Sequence, residues 1–246
     1  KTMSEYEQNL ISINQNISNY EDKNNFYEEK SKNITPFPNN FRQPEHNKLG
    51  RRKKMDFKKS KTYKNLALSF TAECMAGLRY QMIADLALKE NLKTLSDAVK
   101  EIAKNEVWHA KEEMKLLNSK AGDVNNINIT GDFPFVATTI EKSLKSATEG
   151  EKQEAVFYEQ AFKDAEKEGY ADVADKFRRI REIELHHSEI FAEMLKSYKN
   201  DALFKSEEEK TYVCANCGYS CTLKEAWKKC PVVESDRGFV KLDFGN

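Results

Sequence analysis

Two of the four histidines in this chain sit in the same local pattern, Glu106-Val-Trp-His109 and Glu184-Leu-His-His187. On a helix, residues three apart share a face about one turn from each other, so each Glu-x-x-His presents a carboxylate and an imidazole to one point. Two further stretches offer carboxylates without histidine. Glu73 stands in Phe70-Thr-Ala-Glu-Cys-Met-Ala-Gly-Leu-Arg-Tyr80, and Glu151 and Glu154 are three apart, with Tyr158 one turn beyond Glu154. One Glu from each of two helices, with Glu-x-x-His from each of two others, is a set that closes around a pair of metal ions. Charge explains the composition: two divalent ions are neutralised by four carboxylates, and two neutral imidazoles fill further positions. Sites rich in carboxylate with open positions suit iron or manganese better than zinc. Any one glutamate alone reads as a solvated surface residue, because Glu is rarely buried. Glu149, Glu159 and Glu182 are assigned to that class, and His186 is read as a neighbour of His187 that does not ligate.

Such a set needs four helices to position it. Leu66, Phe70, Gly77, Tyr80, Ala84 and Leu88 recur at helical spacing and predict a helix over about 62–90, broken by Asn91. Thr94 or Ser96 is expected to cap a second helix running to about Asn118. After a loop rich in Asn and Gly, a third helix is expected from about Phe135 to Glu168, ended by Gly169, and a fourth from about Ala171 to Ser197. Short links within each pair and a longer middle connection suit an all-α, ferritin-like four-helix bundle over 61–205. Residues 1–60, dense in Asn, Ser, Lys and Glu, cannot bury enough apolar surface to offset their ordering entropy and are expected to be an extension. The run Arg51-Arg52-Lys53-Lys54 reads as part of a solvated linker in preference to a targeting signal. A charged linker at 206–210 then leads into a Cys-rich module that closes the chain over 206–246.

Composition limits the partners. The chain has 40 basic and 40 acidic side chains, so no net field argues for nucleic acid or a membrane surface. No apolar run reaches transmembrane length, and no apolar stretch follows Lys1 as a secretory signal would require. Cys74 stands alone, whereas Cys214, Cys217, Cys221 and Cys230 crowd the tail, a clustering that reads as a metal site in place of a disulfide framework. That points to the cytoplasm or another reducing compartment, with an organelle reached through the N-terminal segment as the alternative.

At this point the chain resembles rubrerythrin. The matching stretches are Ala72-Glu-Cys-Met-Ala-Gly-Leu-Arg-Tyr80, Asn105-Glu-Val-Trp-His-Ala-Lys111, Gly150-Glu-Lys-Gln-Glu154, Glu168-Gly-Tyr170 and Glu184-Leu-His-His187. The resemblance implies that Glu73, Glu106, His109, Glu154, Glu184 and His187 are ligands of two iron ions, with Glu151 an additional carboxylate absent from plain ferritins. It implies that Tyr80 and Tyr158 hydrogen-bond to ligating carboxylates. It further implies a homodimer that reduces hydrogen peroxide with electrons from a reductase and a rubredoxin-type centre. The alternative is a ferroxidase or iron-handling bundle.

Two departures from the family pattern matter. Between Glu154 and Gly169 the chain is one residue shorter, so a π-bulge in the third helix is expected to be absent or displaced. An ungapped match from Gly169 would put Gly150 and Gln153 at the ligand positions, and neither offers a carboxylate. In the tail, Tyr212-Val-Cys214-Ala-Asn-Cys217-Gly-Tyr219 is similar to a rubredoxin knuckle, but the second knuckle reads Cys230-Pro231-Val232-Val233 and lacks the fourth thiolate. Cys221 is the one remaining candidate to replace it, for a further iron or zinc ion in the tail.

Overall fold

A computed structural model describes residues 56–122 and 126–245. Four helices dominate: α1 (Lys61–Lys89), α2 (Lys93–Ala121), α3 (Ile140–Glu168) and α4 (Ala171–Lys199), each of 29 residues. α1 packs along α2 and α3, and α3 along α4. The arrangement is the expected four-helix bundle. The basic run at 51–54 and most of the expected extension lie outside the described residues.

The helix ends have identifiable causes. The Ser60 hydroxyl accepts from Tyr63 N–H at the start of α1, and the Glu168 carboxylate, from the last residue of α3, accepts from Lys61 N–H and Thr62 N–H at 2.9 Å each. A carboxylate there satisfies two orphan donors and complements the positive end of the α1 dipole. Asn91 turns the chain between α1 and α2 at φ +59°, and Gly169 does so between α3 and α4 at φ +84°. α3 begins at Ile140, with Thr139 accepting from Lys142 N–H, five residues later than the apolar pattern at Phe135 suggests. Phe135 is exposed, so the residues before Thr139 have no helical face to bury.

The expected cap of α2 is corrected. The helix begins at Lys93 behind Leu92, without a side-chain cap. The Thr94 hydroxyl instead donates to Val240 O at 2.6 Å, with Gly238 O at 3.2 Å. A hydroxyl already inside the first turn is free to bind another element. α3 is continuous α-helix from end to end, in keeping with the missing residue.

The core is split by a polar layer. At one end of the bundle Tyr80, Ile83, Leu95, Val99, Leu144 and Phe191 pack together. At the other end Leu66, Leu117, Tyr158, Ala161, Val173 and Phe177 do so. Reading along each helix, Glu73, Glu106, His109, Glu151, Glu184 and His187 all fall between these two clusters. Each fully buried large apolar side chain contributes about 1.5–3 kcal/mol, and the two plugs together offset the cost of a charged middle.

The tail is a small β-module. Strand β1 (Lys205–Val213) pairs antiparallel with β2 (Ser220–Glu225), and the register shifts between Lys205 and Lys210. The segment 206–210, expected as a linker, is thus part of a strand; it carries the irregularity in register, and pairing resumes at Lys210 opposite Leu223. Tyr212, Ala226 and Val240 form a local core. A 3-10 turn at Arg237–Phe239 rests on the corner between α1 and α2. There Gly238 is obligatory, since a Cβ would lie 1.6 Å from Asn91 O. Among the described residues no helix is long and apolar enough to cross a membrane.

Candidate metal centre

Six side chains from four helices meet in the polar layer, in two overlapping sets. Glu73, Glu106, His109 and Glu184 bring one ligand atom each to within 4.8 Å of one another, and so do Glu106, Glu151, Glu184 and His187. Glu106 and Glu184 belong to both, as bridging carboxylates between two ions must. His109 Nδ1 lies 3.0 Å from Glu184 Oε1 and 3.4 Å from Glu73 Oε2. His187 Nδ1 lies 2.9 Å from Glu184 Oε2 and 3.0 Å from Glu106 Oε1. The imidazole rings are 6.1 Å apart and nearly parallel. The Asn105 amide reaches His187 Nε2 at 3.3 Å, which leaves Nδ1 to face the carboxylates.

The electrostatics of the layer require cations. The six residues are buried, yet Glu73 Oε2, both oxygens of Glu106, His109 Nδ1, Glu151 Oε2 and Glu184 Oε1 have no hydrogen-bond partner. Orphaned buried charge on this scale is strongly unfavourable unless ions satisfy it. Burial, followed by repulsion from neighbouring carboxylates, pushes Glu106, Glu151 and Glu184 well above the usual carboxylate range. Burial, then the nearby His109, depresses His187 to about 3, so it is neutral and available as a ligand. Burial opposes protonation of His109 as well, but Glu73 and the other carboxylates outweigh it and raise that imidazole. The donor set fits two iron ions: orphaned oxygens and imidazole nitrogens converge on two centres, and carboxylates are shared between them.

α3 distributes its two carboxylates differently from the expectation. Glu151 is in the second set, and Glu154 is in neither. Glu154 lies beside the centre with Oε2 buried and unpartnered, where burial and then Glu151 raise its carboxyl. It also lines a cavity of about 160 Å³ between α1, α3 and the segment before α3, whose wall includes Leu68, Ala72, Met75, Phe157 and Arg79. Glu149, Glu182 and His186 are exposed as expected, and Glu159 is engaged by Lys163 and Arg181 at the surface.

Both tyrosines bind carboxylates of the layer. Tyr80 donates to Glu151 Oε1, and Tyr158 to Glu73 Oε1. Sequence reasoning missed the next partner. Tyr158 OH is also 2.7 Å from Glu113 Oε1, and Glu113 is fully buried. A phenol has one proton to give, so one of the two carboxyls in contact with it must itself carry a proton. Burial, and then repulsion by Glu73, push the Glu113 carboxyl well above the usual carboxylate range. The available signal was position: Glu113 follows His109 by four residues and Glu106 by seven, on one helical stripe. Arg79 was missed as well; it is buried, reaching Pro134 O and the Tyr80 hydroxyl.

In the tail, Cys214, Cys217 and Cys230 converge within 4.8 Å, which makes a site for an additional metal ion. Cys221 is not in that group; it lies on β2 opposite Tyr212.

Fold and centre together define a ferritin-like di-iron carboxylate protein. A family model of rubrerythrin matches residues 64–141 and 142–224. The chain is 33% identical over 187 residues to a rubrerythrin of Porphyromonas gingivalis, covering 75% of this chain and 90% of that one. It is 35% identical over 187 residues to rubrerythrin-1 of Clostridium acetobutylicum, covering 75% and 95%. Among solved structures, mixed-valence nigerythrin aligns with a TM-score of 0.50 at 20% identity, over 77% of this chain and 94% of that one. A bacterioferritin of Desulfovibrio desulfuricans aligns with a TM-score of 0.52 at 20% identity, over 58% and 82%. The chain belongs to the rubrerythrin family.

Proposed function

We propose that the bundle reduces hydrogen peroxide to water, taking electrons from a reductase and rubredoxin-type donor, and that it works as a homodimer. The reaction consumes two electrons and two protons for each peroxide and yields two waters. Two ferrous ions held by Glu73, Glu106, His109, Glu151, Glu184 and His187 would supply the two electrons. The protein's part is to hold the ions, admit a small neutral oxidant and supply protons. The observation that carries this reading is the pair of phenols, one at each metal position: Tyr80 on Glu151 and Tyr158 on Glu73. Behind Tyr158, the buried Glu113 carboxyl extends the hydrogen-bonded chain, a route by which a proton can pass between Glu113 Oε1 and the Tyr158 oxygen. Glu154 sits between the centre and the largely apolar cavity, where a carboxylate free of the two ligand sets can swing as the charge of the centre changes.

A ferroxidase shares the six ligands and the bundle, but it has no use for a fifth carboxylate, Glu154, beside the centre. The two readings separate in one experiment. Anaerobically reduced protein is mixed with peroxide or with oxygen, and reoxidation of the iron is timed. Faster reoxidation by peroxide is expected; a clear preference for oxygen would move the assignment to iron oxidation.

A further inference from the structure

The tail repeats one backbone device twice. In the first turn Cys214 N–H donates to Tyr219 O at 2.8 Å and Gly218 N–H donates to Cys214 O at 2.9 Å, with Gly218 at φ +77°. In the second, Cys230 N–H donates to Ser235 O at 2.8 Å and Glu234 N–H donates to Cys230 O at 2.9 Å, with Glu234 at φ +55°. The two turns correspond bond for bond, so Cys230 matches Cys214, Val233 matches Cys217, and Ser235 matches Tyr219. A non-glycine residue at positive φ adopts a strained conformation. The second turn therefore keeps the shape of a ligand loop even though its distal position carries an isopropyl group with no lone pair.

What remains is three sulfurs and an oxygen. Cys217 Sγ and Cys230 Sγ are 3.6 Å apart, and the Ser235 hydroxyl is 3.5 Å from Cys214 Sγ. Cys214 and Cys230 are buried. Cys221 stays on its strand, outside the group. The donor set does not fit a four-thiolate iron centre.

We propose that the tail is a three-thiolate site for a divalent cation of the zinc class, completed by oxygen on the Ser235 side, and that it carries no electrons. Zinc accepts a tetrahedron of mixed sulfur and oxygen ligands and has no redox chemistry. Its role is then a clip. It fastens the β-hairpin to the turn at 230–235, and the following 3-10 turn seats Gly238 and Val240 against Asn91 and Thr94 at the bundle corner. The centre that feeds electrons to the bundle must consequently belong to another protein. This consequence rests on the peroxidase reading; the metal assignment does not.

The test uses the full chain and reads tail metal, not turnover. Wild type, Cys221→Ser, Cys230→Ser and Val233→Cys are analysed for zinc and iron, then substituted with cobalt(II). Only the cysteine site produces intense thiolate-to-cobalt charge transfer. Wild type is expected to hold about one zinc per chain beyond the bundle metals. That zinc should be lost in Cys230→Ser and kept in Cys221→Ser. Its cobalt band should have about three-quarters of the intensity shown by Val233→Cys, following the thiolate count. After ferric loading, only Val233→Cys should gain a visible thiolate-to-iron band. A ferric thiolate band in wild type, a weaker cobalt band in Cys221→Ser, or no thiolate-bound cobalt in wild type would each overturn the proposal. The two serine variants decide the matter alone if Val233→Cys does not fold.

Discussion

Removing the metal should invert the pH dependence that a folded protein ordinarily shows near neutrality. Glu106, Glu113, Glu151, Glu154 and Glu184 all have folded values well above the usual range, with burial the first cause and neighbouring carboxylates the next. In the unfolded chain these groups are ionised above about pH 5. The metal-free fold therefore binds more protons than the unfolded chain, and its stability must fall as pH rises until the folded values are passed. His109, also raised, acts in the same direction. His187, depressed to about 3, acts oppositely, but only below the ordinary histidine value of about 6.5. The clean window thus opens above about pH 6.5, the ordinary histidine value. Each proton retained only by the fold contributes a slope of about 1.4 kcal/mol per pH unit. If only the shared carboxylates Glu106 and Glu184 keep theirs, the slope is about 2.7 kcal/mol per pH unit. At roughly 2–4 °C per kcal/mol for a chain of this length, Tm should drop by roughly 5–11 °C per unit. Differential scanning calorimetry of chelator-treated protein at several pH values measures this directly. The metal-loaded protein should gain over the metal-free form as pH rises, because binding displaces those protons. A metal-free Tm that stays level or climbs across this window would refute the picture of a dry, protonated carboxylate layer.

Other perturbations separate the neighbouring roles. Glu151→Gln should lose about one of the two irons, whereas Glu154→Gln should keep both and slow peroxide-driven reoxidation; metal analysis beside stopped-flow distinguishes them. Tyr158→Phe removes a hydrogen bond to buried carboxyls and should cost about 1.5–3 kcal/mol in denaturant unfolding, with slower turnover at unchanged iron content. Gly238→Ala places a methyl group against the Asn91 backbone and should destabilise the protein by about 1–3 kcal/mol while leaving the di-iron content intact. Enhanced proteolysis confined to the tail would report it.

Much of this protein is written locally. Helical spacing, Asn91 and Gly169 locate the helices because periodicity and positive φ are properties of short segments. Each Glu-x-x-His arm is likewise visible because helical geometry fixes its two teeth. Sequence alone also showed that the second cysteine turn lacks a sulfur.

Decisions that depend on which helix faces which required the tertiary structure. Glu113 was hidden in a charged run beside half-buried Glu112, and only the packing of α3 along α1, which itself packs along α2, brings Tyr158 to it. The choice between Glu151 and Glu154 turned on the rotation of α3, since residues three apart diverge by about 60° around the helix. Thr94 looked like a cap because a hydroxyl near a helix start ordinarily is one; the tail carbonyls claimed it instead. Cys221 was a plausible fourth ligand until strand pairing with Tyr212 held it on β2. Spacing determines which groups can share a face, but the burial that turns four faces towards one another determines which of them meet.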